Sequence, residues 1–278
     1  MCDFEELETL RWDLRQRCAD IIMAGGEGDV EGNMSSIDAL MVLYERHLNV
    51  APETAGDPDR DRFVLSRGSA IAAYYAILCE RGFLDYDDVR SGFLQFDSPF
   101  VGQPSRELLG IEACTGALGH GLAVAMGIAL AAKMYGRPYR TYVLIGEDEL
   151  PTGVVWEAAA RASSLELENL CAIVVACPPP DVPPDEEGQL EARWSALGWN
   201  VVSVDGHDLV GLDRALSRAA EAAGRPTAIV ARTVRGYGSA PTQGDVACHC
   251  KLPRAGGVGG WSRVASEGEP RREGARNA

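Results

Sequence analysis

Five short, mostly apolar runs constrain the fold of this chain more than any other feature. They lie at residues 63–66, 141–145, 170–176, 199–204 and 227–231. Runs that are apolar at successive positions are typical of strands buried on both faces of a parallel sheet. Segments with helical spacing separate them, for example at residues 155–164 and 209–223. The pattern predicts an α/β fold, a doubly wound parallel sheet with helices on both faces.

Composition and spacing predict the limits of the folded region. Apolar periodicity predicts a first helix at residues 4–23 and makes residues 112–135 the longest regular segment, and SSID at residues 35–38 favours a helix start. Residues 178–187 contain five prolines and four acidic residues, which argues against a helix or a central strand. We expect one domain over residues 1–253 and a disordered tail over residues 254–278, which are poor in apolar side chains.

The charge balance narrows the possible partners. The formal net charge of −15 argues against a nucleic-acid surface and against binding to anionic membranes. No apolar run reaches the roughly 18 residues of a membrane-spanning helix. The N-terminus is acidic and lacks an apolar signal segment, so we expect a cytoplasmic protein. An anionic ligand would need local help from a metal, a helix N-terminus or histidine.

Three adjacent carboxylates follow the second predicted strand, in the sequence Gly146-Glu147-Asp148-Glu149. Ligands of open parallel sheets bind beyond the carboxyl ends of the strands, which directs attention to this turn and to the turns after Ala176 and Val204. The acidic turn is compatible with a solvated helix start, where negative charge is favourable. It is also compatible with a Mg²⁺ site, because hard cations prefer carboxylate and carbonyl oxygens.

A series of segments resembles the transketolase family, in the same order along the chain. The match extends from about residue 28 to residue 253, which makes it far more specific than any single motif. The segments are DRFVLSRG at 61–68, EACTGALGHGL at 112–122, GVVWEAA at 153–159, LENL at 167–170, DGHD at 205–208 and TVRGYG at 233–238.

The resemblance implies the N-terminal subunit of a split transketolase, with the thiamine diphosphate-binding fold of the PP-type domain. Such a subunit binds thiamine diphosphate and Mg²⁺ and takes part in transferring a two-carbon ketol unit from a sugar or sugar phosphate to an aldehyde. A separate C-terminal subunit would carry the pyrimidine-binding domain and the glutamate that activates the cofactor. The resemblance therefore implies an α2β2 assembly and no activity for this chain alone.

The metal-binding motif of the family is altered in this sequence. Glu147 stands in place of the family aspartate, and Cys177 stands in place of the family asparagine. A thiol is a poor ligand for a hard cation. The resemblance implies that Glu147 and the position of Cys177 face the metal, with Glu149 or a carbonyl near Pro179 completing the shell.

The resemblance also implies a set of cofactor-binding residues. Asp148 replaces the second glycine of the family motif, and Ser69 replaces a histidine. His249, in ACHCKLP at residues 247–253, matches a late family histidine and is the candidate catalytic residue. The cofactor-binding candidates are Gly116, Leu118, His120, Gly146, Asp148 and Ser69.

Several interpretations of the altered motif stay open at this level. The first is a working subunit that binds the cofactor through a rearranged site. The second is a degenerate partner that keeps the fold but has lost cofactor binding, which the repulsion between Glu147-Asp148-Glu149 and a diphosphate favours. A related thiamine enzyme of the two-subunit 2-oxoacid decarboxylating type is a third.

Overall fold

The computed structural model describes residues 3–177, 184–239 and 243. The five predicted strands form one parallel sheet in the order β1-β2-β3-β5-β4, which confirms the α/β prediction. The strands are β1 (Arg62–Leu65), β2 (Thr141–Gly146), β3 (Leu170–Ala176), β4 (Asn200–Asp205) and β5 (Thr227–Arg232).

Helices cover both faces of the sheet and bury two apolar clusters. The helices are α1 (Phe4–Gly25), α2 (Val30–Val42), α3 (Ile71–Glu80), α4 (Tyr86–Gly92), α5 (His120–Tyr135), α6 (Gly153–Ser164), α7 (Pro184–Ala196) and α8 (Leu209–Glu221). The larger cluster joins α1, α2, α3 and α8 to one face of the sheet, and the smaller cluster joins α5, α6 and Trp194 of α7 to the other. Alternate residues of β3 enter opposite clusters, as a strand covered on both faces requires.

Two helix starts differ from the sequence prediction. Helix α2 begins at Val30, not near residue 35, because Asp29 accepts a hydrogen bond from the Gly32 N–H and caps it. Helix α5 begins only at His120, since Gly116 and Gly119 adopt positive φ angles of 54° and 80° that end any helical continuity. Among the described residues, the longest helix is therefore α1 and not the segment at residues 112–135.

The prediction of an irregular segment at residues 178–187 was wrong for its last four residues. Helix α7 begins at Pro184. Proline is tolerated there because the first helical residues have no intrahelical partner for their N–H groups.

Some predictions fall outside the described residues. Pro179, His249 and the expected disordered tail at 254–278 belong to this group. Within the described part of the chain, no helix combines the length and the apolar composition needed to cross a bilayer.

Candidate functional site

One buried carboxylate ties together the three turns at the carboxyl edge of the sheet. Glu149 accepts hydrogen bonds from the Ser66 hydroxyl at 2.6 Å, the Gly119 N–H at 2.9 Å and the Gly146 N–H at 2.7 Å. These donors follow β1, precede α5 and end β2, respectively. Ser66 also accepts from the Gly121 N–H at 3.1 Å, which adds the start of α5 to the same network.

The position of Glu149 gives it a structural role. Its side chain is fully buried, and burial raises the pKa of its carboxyl group although three hydrogen bonds act to lower it. We expected Glu149 as one of two options for completing a metal shell. The structure instead assigns its oxygens to the donors of the three turns, so this carboxylate holds the loops that frame the site.

Glu147 points toward the end of β3. Its Oε2 accepts a hydrogen bond from the Cys177 N–H at 2.8 Å, so the sequence-predicted metal positions do lie side by side. The Cys177 thiol is buried and lies 2.8 Å from the Thr233 hydroxyl, beyond the end of β5. Among the described residues, no three His, Cys, Asp or Glu side chains converge in a metal-binding group.

The side chain of Asp148 is half exposed and faces Arg67, the residue that follows β1 by two positions. Asp148 Oδ1 lies 3.9 Å from Arg67 Nε. A Cβ added to Gly146 would clash with Asp148 Oδ1 and stand 3.0 Å from Arg67 Cδ, so both side chains lie over this glycine. Arg67 was not among the predicted site residues, although it lies in the segment DRFVLSRG at residues 61–68.

The glycine-rich turn before α5 lies next to this edge of the sheet. Gly116 has open space where a Cβ would stand, whereas a Cβ on Gly119 would clash with the Thr152 hydroxyl. Leu118 and His120 are exposed. The turn therefore presents backbone and two exposed side chains beside the residues that follow β1 and β2.

Ser69 lies against the first turn of α2. Its buried hydroxyl has no hydrogen-bond partner within the described part of the chain, and a Cβ on Gly32 would stand 2.6 Å from it. The Asn33 side chain fixes this contact, because its Nδ2 donates to the carbonyls of Ser69 and Asp29 at 2.7 and 2.6 Å. Ser69 follows the last residue of β1, Leu65, by four positions, so it lies in the segment that leaves the carboxyl end of that strand.

A buried ionic network supports the loop after β5. Asp38 in α2 is fully buried and accepts hydrogen bonds from Arg11 and Arg15 of α1 and from His207 Nδ1 at 2.8 Å. His207 Nε2 accepts from the Val234 N–H at 3.0 Å, which places the proton of a neutral ring on Nδ1.

Electrostatic interactions and ring stacking stabilise this network and hold the segment after β5. Burial opposes ionisation of Asp38, but Arg15, His207 and Arg11 outweigh it and hold the pKa of its carboxyl well below the usual range. Tyr237 stacks on His207 with ring centroids 3.7 Å apart. The chain segment that follows β5 therefore starts from a fixed position.

Comparison with known proteins identifies the family. Residues 10–258 match the family described as transketolase, thiamine diphosphate binding domain. The chain is 33% identical over 257 residues to an apulose-4-phosphate transketolase subunit of Phocaeicola vulgatus, with 90% of each protein covered. It is 34% identical over 234 residues to the 6-deoxy-6-sulfo-D-fructose transketolase subunit SqwG of a Clostridium species, with 81% of this chain and 83% of that protein covered.

Solved structures agree with this result. Transketolase from Campylobacter jejuni is similar with a TM-score of 0.80 and 28% identity, over 87% of this chain and 40% of that one. Transketolase from Pichia stipitis, in complex with sedoheptulose-7-phosphate, gives a TM-score of 0.81 and 28% identity over 92% of this chain and 40% of that one. The present chain thus spans about 40% of these solved transketolases. It belongs to the transketolase family and corresponds to the thiamine diphosphate-binding domain of that family.

Proposed function

We propose that this chain is the N-terminal subunit of a two-subunit ketol transferase. With a separate C-terminal subunit, in an α2β2 assembly, it would use thiamine diphosphate and Mg²⁺ to move a two-carbon unit from a ketose to an aldehyde. The observation that carries the proposal is the convergence of three turns on Glu149, since these turns contain the segments that resemble the family's cofactor site. The chain covers 90% and 83% of two relatives that are named as transketolase subunits, and this match in extent supports the two-chain form.

The arrangement of the described residues fits an organic diphosphate. Helix α5 begins at the glycine-rich turn beside Gly146, and the dipole of a helix favours an anion near its N-terminus. The N–H groups of Gly119, His120 and Gly121 already donate to Glu149, Ala117 and Ser66, so the dipole and not free N–H groups would attract the diphosphate. Bound thiamine diphosphate would supply a nucleophilic carbon for attack on the ketose carbonyl. The part of this chain would be to hold the diphosphate and to keep the three turns in place.

The fit to Mg²⁺ depends on Glu147. Its carboxylate stands at the junction of β2 and β3, where the family metal would lie, and it would hold the cation. Cys177 does not fit a hard cation, because its sulfur is soft and lies against the Thr233 hydroxyl. We assign no role in metal binding to the Cys177 thiol.

Calorimetry on the reconstituted two-subunit complex tests the proposal. We expect saturable binding of thiamine diphosphate in the presence of Mg²⁺, and we expect Glu147→Ala to weaken it by roughly 100-fold, about 2.7 kcal/mol. The exposed Glu53→Ala is the matched control, because it removes the same charge in the segment before β1. Absence of binding heat in the wild-type complex would exclude the proposal.

The altered motif also supports a second candidate function, a non-catalytic partner subunit. Asp148 adds a half-exposed carboxylate where the family has glycine, and Cys177 removes an oxygen ligand. If this is the function, Glu147→Ala leaves the activity of the complex unchanged. Transfer assays with xylulose 5-phosphate as donor distinguish the two candidates.

Restoring the family ligand should strengthen metal binding if the first candidate is right. Cys177→Asn introduces an amide oxygen next to Glu147, and we expect roughly tenfold tighter Mg²⁺ binding in the presence of thiamine diphosphate, about 1.4 kcal/mol. Titration with Mg²⁺ at saturating cofactor measures this. Cys177→Ala, which removes the thiol without adding an oxygen, is the control. Equal affinity of the two variants would contradict the expected ligand position.

A further inference from the structure

Arg67 lies beside the proposed diphosphate site, although it is not part of the altered metal-binding motif. Its backbone N–H donates to the Leu144 carbonyl, which fixes it beside β2. From there its side chain passes over Gly146, with Cδ 3.0 Å from where a Cβ would stand. The aliphatic part of Arg67 therefore covers this glycine, and the guanidinium lies beside the turn, with Nε 3.9 Å from Asp148 Oδ1 and Nη1 3.3 Å from the Ser35 hydroxyl.

The Arg67 side chain makes fewer hydrogen bonds among the described residues than a buried cation usually does. Only 10% of its side chain is exposed, yet its single hydrogen bond among the described residues joins Nη1 to the neutral Ser35 hydroxyl at 3.3 Å. Within the same residues its Nε has no hydrogen-bond partner, because Asp148 Oδ1 is too distant at 3.9 Å. A buried charge is costly unless it is paired and hydrogen-bonded.

Arg15 shows how this chain otherwise compensates a buried guanidinium. Arg15 is also almost fully buried, and it donates from Nη1 and Nη2 to the two oxygens of Asp38 at 2.8 Å each. Arg67 lacks such a bidentate partner in the described part of the chain. A guanidinium whose Nε lacks an acceptor and whose Nη1 donates to a neutral hydroxyl among the described residues is suited to a phosphate group.

The charges around the turn also favour a phosphate group as the partner of Arg67. Glu147 and Asp148 would repel a diphosphate, and the chain as a whole carries a net charge of −15. Arg67 is a cation whose contacts place it beside this turn. The positive charge of Arg67 would attract the diphosphate and so offset part of its repulsion by Glu147 and Asp148.

We infer that Arg67 binds the diphosphate of the cofactor and that Asp148 competes with this diphosphate for the guanidinium. The inference rests on the proposed function, because it assumes that thiamine diphosphate binds at this edge. Arg67 would supply a hydrogen-bond donor in place of the family histidine that Ser69 replaces. Asp148 would lower the affinity because its carboxylate, 3.9 Å from Arg67 Nε, offsets part of the charge that Arg67 offers to the diphosphate.

Calorimetry with the complete two-subunit complex tests the inference, using thiamine diphosphate and inorganic pyrophosphate as probes, each with Mg²⁺. We expect Arg67→Gln to weaken binding of both probes by roughly 10- to 100-fold and Asp148→Asn to tighten it by about three- to tenfold. In the Arg67→Gln background, Asp148→Asn should lose part of its effect, because the ion pair with Arg67 is gone while the direct repulsion between Asp148 and the diphosphate remains. Binding of thiamine itself, which lacks the diphosphate, should be unchanged by either variant.

The controls separate local contacts from net charge. Arg137 and Asp59 form an exposed pair at 3.1 Å near the start of β2, so Arg137→Gln and Asp59→Asn make the same charge changes away from the site. If Arg67→Gln does not fold, Arg67→Lys and Asp148→Asn carry the test, with Lys expected to retain part of the affinity.

Three outcomes overturn the inference in distinguishable ways. If the wild-type complex binds both probes and Arg67→Gln binds them equally well, Arg67 is not a diphosphate ligand. If Asp148→Asn has the same effect in both backgrounds, Asp148 does not compete for Arg67. Either result overturns the inference while the proposed function stands. If the wild-type complex binds neither probe, the proposed function fails and the inference fails with it.

Discussion

Replacing Glu149 by alanine is expected to destabilise the protein by about 3–5 kcal/mol and to abolish cofactor binding. The change removes the shared acceptor of Ser66, Gly119 and Gly146, and a buried donor left without a partner costs about 1–3 kcal/mol. The three turns would also lose their common attachment point. Urea-induced unfolding of the full chain measures the first effect, and calorimetry with thiamine diphosphate measures the second.

A more conservative substitution at position 149 should destabilise the protein less than alanine does. Glu149→Gln keeps the volume and one carbonyl oxygen but places an amide NH₂ against an N–H donor, so we expect a loss of about 1–3 kcal/mol. Glu157→Ala on the exposed side of α6 serves as the control and should stay within about 0.5 kcal/mol of the wild type. A stability change for Glu149→Ala no larger than that of the control would contradict the buried role described for this residue.

Replacing Asp38 by asparagine is expected to cost about 3–5 kcal/mol of unfolding free energy. The amide cannot neutralise the guanidinium groups of Arg11 and Arg15, and breaking a buried pair from one side leaves an uncompensated charge. The loop after β5 should loosen at the same time, because the single amide oxygen of asparagine cannot serve His207 and both arginines as the two carboxylate oxygens do. Chemical denaturation of the full chain measures the cost.

The pH dependence of Asp38 has a definite sign. Its folded-state pKa is lowered, so its stabilising contribution is present above the unfolded value of about 3.9 and is lost as the pH falls through the folded-state pKa. The stability difference between wild type and Asp38→Asn should therefore shrink below about pH 4. Glu80→Gln, which breaks an exposed pair with Arg17, should cost at most about 1 kcal/mol. A pH-independent difference for Asp38→Asn would contradict this account.

The strands and the location of the site could be predicted from sequence because both depend on local patterns. Apolar runs in β2, β3 and β5 follow from burial on two faces, and the carboxyl edge follows from the topology of parallel strands. Ordered family segments then placed candidate residues on the turns at that edge. The structure brings Glu147 and Cys177 into contact, as adjacent strand ends require.

The directions of the three acidic side chains could not be predicted. Residues 147–149 form a single 3₁₀ turn, in which successive side chains point about 120° apart. Glu147 therefore faces the end of β3, Asp148 faces outward beside Arg67, and Glu149 faces inward. Nothing in a run of like residues indicates which one becomes buried.

Long-range pairing was the other feature beyond the reach of sequence patterns. Asp38 and His207 are 169 positions apart, and neither lies in a local motif that indicates the other. Arg67 was missed for a related reason. Its incomplete bonding depends on Ser35 and Asp148, which come from different parts of the chain.

The attachment of three turns to Glu149 has a consequence for the divergence of this site. The carboxylate bonds to two backbone N–H groups and one serine hydroxyl, so it fixes the path of the main chain without involving the side chains at 147 and 148. Position 148, whose side chain is half exposed, can therefore vary in charge and size while the scaffold beneath it persists, whereas Glu147 is tied to the Cys177 N–H. Exchanging the outward residue at position 148 would thus change the charge presented to a ligand, with no need to rebuild the framework.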